Sequence, residues 1–175
     1  MTTENTYNEQ SSLLQVLQSA DPLQVIETIE ELRVSGKVSD IPMLIEFLHL
    51  TQSPEVKAKI ASLFASLKEG DAVPILVSAI QNPQYAPELQ KMVSSCWENG
   101  LDYSAYLAVF TDLLIQTDFQ VAFEAYTVIM NTENRIDQSV IDQQIDRLEK
   151  SLSSIDEQKR QLILDVIDFL PSIGQ

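Results

Sequence analysis

The sequence predicts an all-α chain, an α-α superhelix of about five antiparallel helix pairs with no strands. Apolar residues recur at helical spacing along nearly all of it, and no stretch sustains the alternation of a strand. Only four glycines occur, Gly36, Gly70, Gly100 and Gly174, and each follows a predicted second helix. With Asn134 filling the series, these stops fall 34, 30, 34 and 40 residues apart, the period range of stacked helix pairs. The pairs span about 11–36, 39–70, 71–100, 102–134 and 137–172. They make one domain over 11–175, behind a polar segment, 1–10, expected to be a disordered tail.

Leu13, Leu14 and Leu17 start a short helix ending near Ala20. Asp21-Pro22 opens the next, with Gln24 placed for a capping box, a stripe of Val25, Ile26, Ile29 and Leu32, and Gly36 as its stop. Asp40 and Pro42 open a helix carrying Leu44, Ile45 and Leu48. Ser53 caps the following one, with Pro54 at its first position, where a missing N–H costs nothing. Its stripe is Val56, Ile60, Leu63, Phe64 and Leu67. Asp71 and Pro74 repeat the Asp40-Pro42 signal before Leu76 and Ile80. After the Asn82-Pro83 turn, a helix from about Ala86 carries Leu89, Met92, Val93, Cys96 and Trp97. Asp102 caps a helix striped by Tyr106, Leu107, Phe110, Leu113 and Leu114. Thr117 and Gln120 form a capping box for a helix reaching Asn131, and Asn134 is read as a left-handed stop. Asp137 opens a helix with Ile141, Ile145, Leu148 and Leu152 on a narrow stripe. Ser154 and Glu157 box the last helix, which Pro171 and Gly174 terminate.

Length and composition fit this reading. A chain of 175 residues that is 45% hydrophobic can bury a core and is too apolar for disorder. The net charge of −15, with no basic segment, removes the electrostatic footprint of a nucleic-acid binder and repels an anionic membrane. One cysteine excludes an internal disulfide framework. Without a long apolar run or a basic-apolar leader, a cytoplasmic location is expected by default.

The segment Ser53-Pro54-Glu55-Val56-Lys57, followed by Ile60, Ala61 and Leu67, resembles the start of a second helix in the HEAT-repeat family. Ile41-Pro42 with Leu44 and Ile45, and Val73-Pro74 with Leu76, are similar to its first-helix pattern. The resemblance covers roughly residues 39–100 and weakens outside them. It implies an armadillo-like stack with second helices lining a concave face, and a binding role. HEAT turns usually carry Asp with Arg a few residues on. Here Asp118 fits, but Ala122 takes the basic position and only Lys57 approximates it elsewhere.

Residues with chemistry are few. His49, the only histidine, has no ligand-spaced partner, so no metal site is expected. Cys96 lies on an apolar stripe and reads as a buried thiol. No phosphate loop and no nucleophile elbow occur, so neither an enzyme nor a cofactor is expected. Glu27, Glu30 and Glu31 read as a solvated helix face. The unusual feature is aromatic: of twelve aromatic residues, seven lie within 97–126. The helix from Asp118 carries two apolar stripes, Val121, Ala125, Val128 and Ile129 on one side and Phe119, Phe123, Tyr126 and Met130 on the other. Both are core, or the second stripe forms a groove rimmed by Asp112, Asp118 and Glu124.

The function expected is therefore a non-catalytic scaffold or adaptor that binds a protein or peptide, with basic flanks on the partner. Trp97, Phe119, Phe123 and Tyr126 are the candidate binding residues, with Lys57 and Lys91 as polar contacts. A homo-oligomer held by the aromatic region is a version of this reading. The alternatives are a HEAT-like enzyme or accessory subunit of the bilin-lyase type, which the poverty in His and Cys opposes, and a nucleic-acid binder of the HEAT-like glycosylase type, which the charge opposes.

Overall fold

Asp21 opens the first helix, α1 (Pro22–Ser35), by accepting the Leu23 N–H at 2.8 Å and the Gln24 N–H at 3.3 Å. The computed structural model describes Leu17 and residues 21–175. The tail expected at 1–10 and the short helix expected at 13–20 lie outside the described residues, except Leu17, which is helical and buried. Eight further helices follow: α2 (Ile41–Leu50), α3 (Pro54–Ala65), α4 (Ala72–Ile80), α5 (Leu89–Asn99), α6 (Leu107–Gln116), α7 (Phe119–Met130), α8 (Gln138–Ser151) and α9 (Glu157–Phe169). Short 3-10 turns precede α2, α5 and α6 and follow α9. Among the described residues no strand occurs, and a single parallel bridge joins Ile136 to Gly174.

The caps decide where these helices begin, and several differ from the sequence reading. Ser53 caps α3 and Asp137 caps α8, as expected. Asp40 does not cap α2: its carboxylate accepts the Lys37 N–H at 2.8 Å and so closes the 3-10 turn before that helix. Asp118, not Thr117, caps α7 by accepting the Gln120 and Val121 N–H groups, because the Thr117 hydroxyl is already bonded to the Leu113 carbonyl in α6. Asp156, not Ser154, caps α9 through the Gln158 N–H, and Ser154 bonds back to Ser151. A carboxylate is the stronger acceptor for an exposed helix N-terminus, and the macrodipole favours it. Residues 83–88 form a 3-10 turn around Pro87, so α5 begins at Leu89 instead of Ala86.

The stops also differ. Gly100 alone is left-handed, with φ +67°, and ends α5 as a left-handed cap does. Asn134 is not left-handed, since no non-glycine residue described has positive φ. Gly36 is extended, and its glycine is needed for space: a Cβ there would come within 2.3 Å of the Leu32 carbonyl oxygen.

Helices of odd number pack on one another in succession: α1 on α3, α3 on α5, α5 on α7, and α7 on α9. Among the even helices α2 packs on α4 and α6 on α8, and the two members of a hairpin also touch, α6 with α7 most extensively. The core runs through this arrangement as one cluster. Phe64, Ile60, Leu48, Leu76, Met92, Phe110, Leu114, Ile141 and Ile163 are all buried within it. Neither face of a hairpin is polar enough to stand in water alone, so each hairpin depends on its neighbours.

Polar ties run between successive helices as well. Lys59 pairs with Glu30 at 3.0 Å, joining α3 to α1, and Arg33 donates to the Ser62 hydroxyl at 3.0 Å. Buried Asn99 donates to the Phe64 carbonyl at 3.3 Å and to the Tyr103 hydroxyl at 3.1 Å, while its own oxygen accepts the Leu101 N–H. Lys159 of α9 donates to the Ile115 and Thr117 carbonyls, both at 2.7 Å, and so closes the C-terminal end of α6. Burial pushes the Lys159 ammonium below its ordinary value, against the opposing pull of Asp156 and Asp118. Arg147 of α8 pairs with Asp112 of α6.

Phe64 is fully buried between helices, so Phe64→Ala should cost about 3–5 kcal/mol. Urea denaturation followed by circular dichroism measures that loss, and a value under about 1 kcal/mol would contradict the packing described.

Candidate functional site

On α7 the sequence divides into two sides. Val121, Ala122, Ala125, Val128 and Ile129 are buried, and they spread over a wide arc of the helix. Helices α5, α6 and α9 all contact α7, and that arc is what they cover. Phe119, Phe123, Tyr126 and Met130 follow one another at i, i+4, i+7 and i+11, so they share the remaining side. Phe119 is 41% exposed and Phe123 45%, while Tyr126 and Met130 are half-buried against the core. The rings run in a line: Phe119 to Phe123 has a centroid spacing of 6.1 Å and Phe123 to Tyr126 one of 6.0 Å, with planes tilted by 31° in both cases. That spacing is within the range of favourable ring contacts. Leu23, Val34, Leu50 and Leu164 are exposed too, but among the described residues only α7 presents large apolar side chains on consecutive turns.

Trp97 approaches this side from α5. It is 39% exposed, and its indole Nε1 donates to Glu124 Oε2 of α7 at 2.8 Å. Four of the six sequence candidates, Trp97, Phe119, Phe123 and Tyr126, are thus brought to one region on α5 and α7. The two lysines are placed differently. Lys57, on α3, is bound to Glu88 at 2.5 Å, and the Glu88 side chain is only 3% exposed. Its ammonium is committed to neutralising a buried carboxylate, which the sequence alone did not reveal, since the two residues are 31 apart. Lys91 is half-buried on α5 and makes no ion pair among the described residues. Of the expected rim, Asp118 is the α7 cap and Glu124 holds Trp97, whereas Asp112 is taken up by Arg147 on the other side of α6.

A cavity of about 270 Å³ opens where α5 and α7 both end. Trp97, Asp102, Tyr103, Asn131, Glu133 and Asn134 are among its walls, and no lining residue is Lys or Arg. Burial raises the Asp102 carboxyl, but hydrogen bonds from Ser104 and Asn134 outweigh it and hold the group below the usual carboxylate range. The exposed carbonyl ends of two helices add partial negative charge to the same place. Gly100 and Asp102 were legible as a stop and a cap; that they meet Glu133 and Asn134 from the next hairpin was not.

Cys96 forms part of the cavity floor, although its side chain is buried. Burial pushes its thiol up to about 12, with the Tyr103 hydroxyl opposing slightly. Burial, and then Cys96 itself, push the Tyr103 phenol up as well. His49 stands in the last turn of α2, edge-on to Tyr85 at 5.6 Å, with Nδ1 buried and unbonded among the described residues. No group of three or more metal-ligating side chains is found among the described residues. No helix among them is long and apolar enough to cross a membrane.

No family model and no curated protein matches the chain. A solved structure of an engineered protein is similar over 93% of this chain and 79% of that one, at 19% identity and a TM-score of 0.48.

Two outcomes are expected. Removing the partner of a buried carboxylate strands the charge, so Lys57→Met should destabilise the fold by about 3 kcal/mol in urea denaturation. The Cys96 thiol ionises near 9 when unfolded and near 12 when folded. The folded state therefore holds its proton more tightly, and the stability this contributes is complete below pH 9 and lost as pH rises toward 12. Its loss should run at about 1.4 kcal/mol per pH unit. Denaturation midpoints of the wild type should fall between pH 9 and 10, before tyrosines ionise, and Cys96→Ala should flatten that slope.

Proposed function

We propose that this chain is a non-catalytic scaffold that docks a protein or peptide on the exposed aromatic side of α7. We read the helices as a short HEAT-like superhelix of five pairs, with odd-numbered helices lining the concave side. The succession of contacts from α1 through α9 supports that arrangement. One observation carries the functional reading. Three aromatic rings lie in line on consecutive turns of a helix whose opposite side is fully used for packing. Large exposed rings in a row are costly to leave in water and are enriched where proteins bind one another. The region 101–131 holds no Lys or Arg, so no cation of its own offsets the carboxylates beside the rings.

The experiment is the paired variant Phe123→Ala/Tyr126→Ala, used as bait in native extract beside the wild type. Partner capture should be abolished, with a stability loss below about 1 kcal/mol, as expected for exposed positions. Unchanged capture, or collapse of the fold, would overturn the reading. Sedimentation of the purified chain distinguishes a separate partner from a second copy: the same variant would convert a dimer to a monomer.

A further inference from the structure

The aromatic side of α7 and the cavity at its C-terminal end are physically continuous. Trp97 belongs to both: its indole is bonded to Glu124 beside the ring row, and it walls the cavity. Tyr126 and Met130, at the end of the row, stand within about 8 Å along the axis of Asn131, which lines the cavity. The two parts differ in chemistry. The row is apolar. The cavity is electronegative, since it gathers Asp102, Glu133 and the carbonyl ends of α5 and α7 and has no lysine or arginine in its wall. A volume of about 270 Å³ admits a guanidinium or ammonium on its alkyl stem, with the Trp97 ring beside it as a cation–π partner.

We propose that these two parts form one docking site for a basic amphipathic helix of a partner protein. Its apolar side lies along Phe119, Phe123 and Tyr126, and one Arg or Lys enters the cavity against Trp97, Asp102 and Glu133. This rests on the docking role given to α7 above, and it adds the shape and charge of the occupant. Charge complementarity selects that occupant: an acidic helix would bring like charge against the cavity, and a neutral one would leave it unused.

The test uses designed helical peptides of about 18 residues, long enough for five turns. All share one leucine stripe, and their polar positions are Lys, Gln or Glu. Binding to the full chain is read by fluorescence anisotropy at physiological salt, with folding checked by circular dichroism. The Lys peptide should bind at least about tenfold more tightly than the Gln peptide, and the Glu peptide should not bind. Glu133→Gln should weaken the Lys peptide several-fold and leave the Gln peptide unchanged. Phe123→Ser should weaken both. The control Glu27→Gln/Glu31→Gln, on the exposed side of α1, should change neither by more than about twofold, since distant exposed charges are screened.

Equal binding of Lys and Gln peptides would overturn the charged occupant while leaving α7 as a docking face. Lys-peptide binding that survives Phe123→Ser, or that the α1 control weakens as much as Glu133→Gln does, would reduce the interaction to net charge and overturn the site. Failure of every peptide would also overturn it. The scaffold reading itself stands or falls on the capture experiment with Phe123→Ala/Tyr126→Ala.

Discussion

Helix α7 is gripped on three sides, by α5, α6 and α9, and most of the C-terminal half depends on that grip. Ala122 and Ala125 are fully buried at these contacts, where small side chains let neighbouring helices approach closely. Lys159 and Asp118 then lock the surroundings, one on the carbonyl end of α6 and the other on the amide end of α7. With so wide an arc engaged, the positions left over form a narrow strip. Aromatic residues occupy that strip, and no helix of the described chain covers Phe119 and Phe123.

The joints between hairpins are made from unlike materials. Between α3 and the turn before α5 the joint is a buried ion pair, Lys57 with Glu88. Between α3 and α5 it is an amide, Asn99, with its donor and acceptor sides both satisfied. Between α5 and α7 it is an indole–carboxylate bond at the surface. A repeating Asp–Arg ladder would hold every pair in the same geometry, whereas these joints are each local solutions to a buried polar group that needs a partner. The cavity at the ends of α5 and α7 sits at one such joint. There the left-handed Gly100 turns the chain aside and leaves space that the next hairpin does not fill.

Residues shape these results at different distances along the chain. Helix identity, the positions of α1 to α9, the buried stripes and the caps at Asp21, Ser53 and Asp137 were all legible, because spacing and capping act over four or five residues. The second stripe of α7 was legible as a pattern, and only its exposure was open. Where the reading slipped, at Asp40, Thr117, Ser154 and Asn134, two neighbouring residues competed for one local role. The loser was decided by a bond already made elsewhere, as with Thr117 and the Leu113 carbonyl.

The sequence by itself determined an all-helical chain with its apolar stripes, its helix stops and an aromatic concentration free of basic residues. Tertiary structure alone decided that Lys57 serves Glu88, that Asp112 belongs to Arg147, and that Trp97 joins the rings of α7 to an acidic cavity. Periodicity reports which side of a helix avoids water, through contacts within one or two turns. It carries no record of which neighbour, some thirty residues away, arrives to cover that side or leaves it bare.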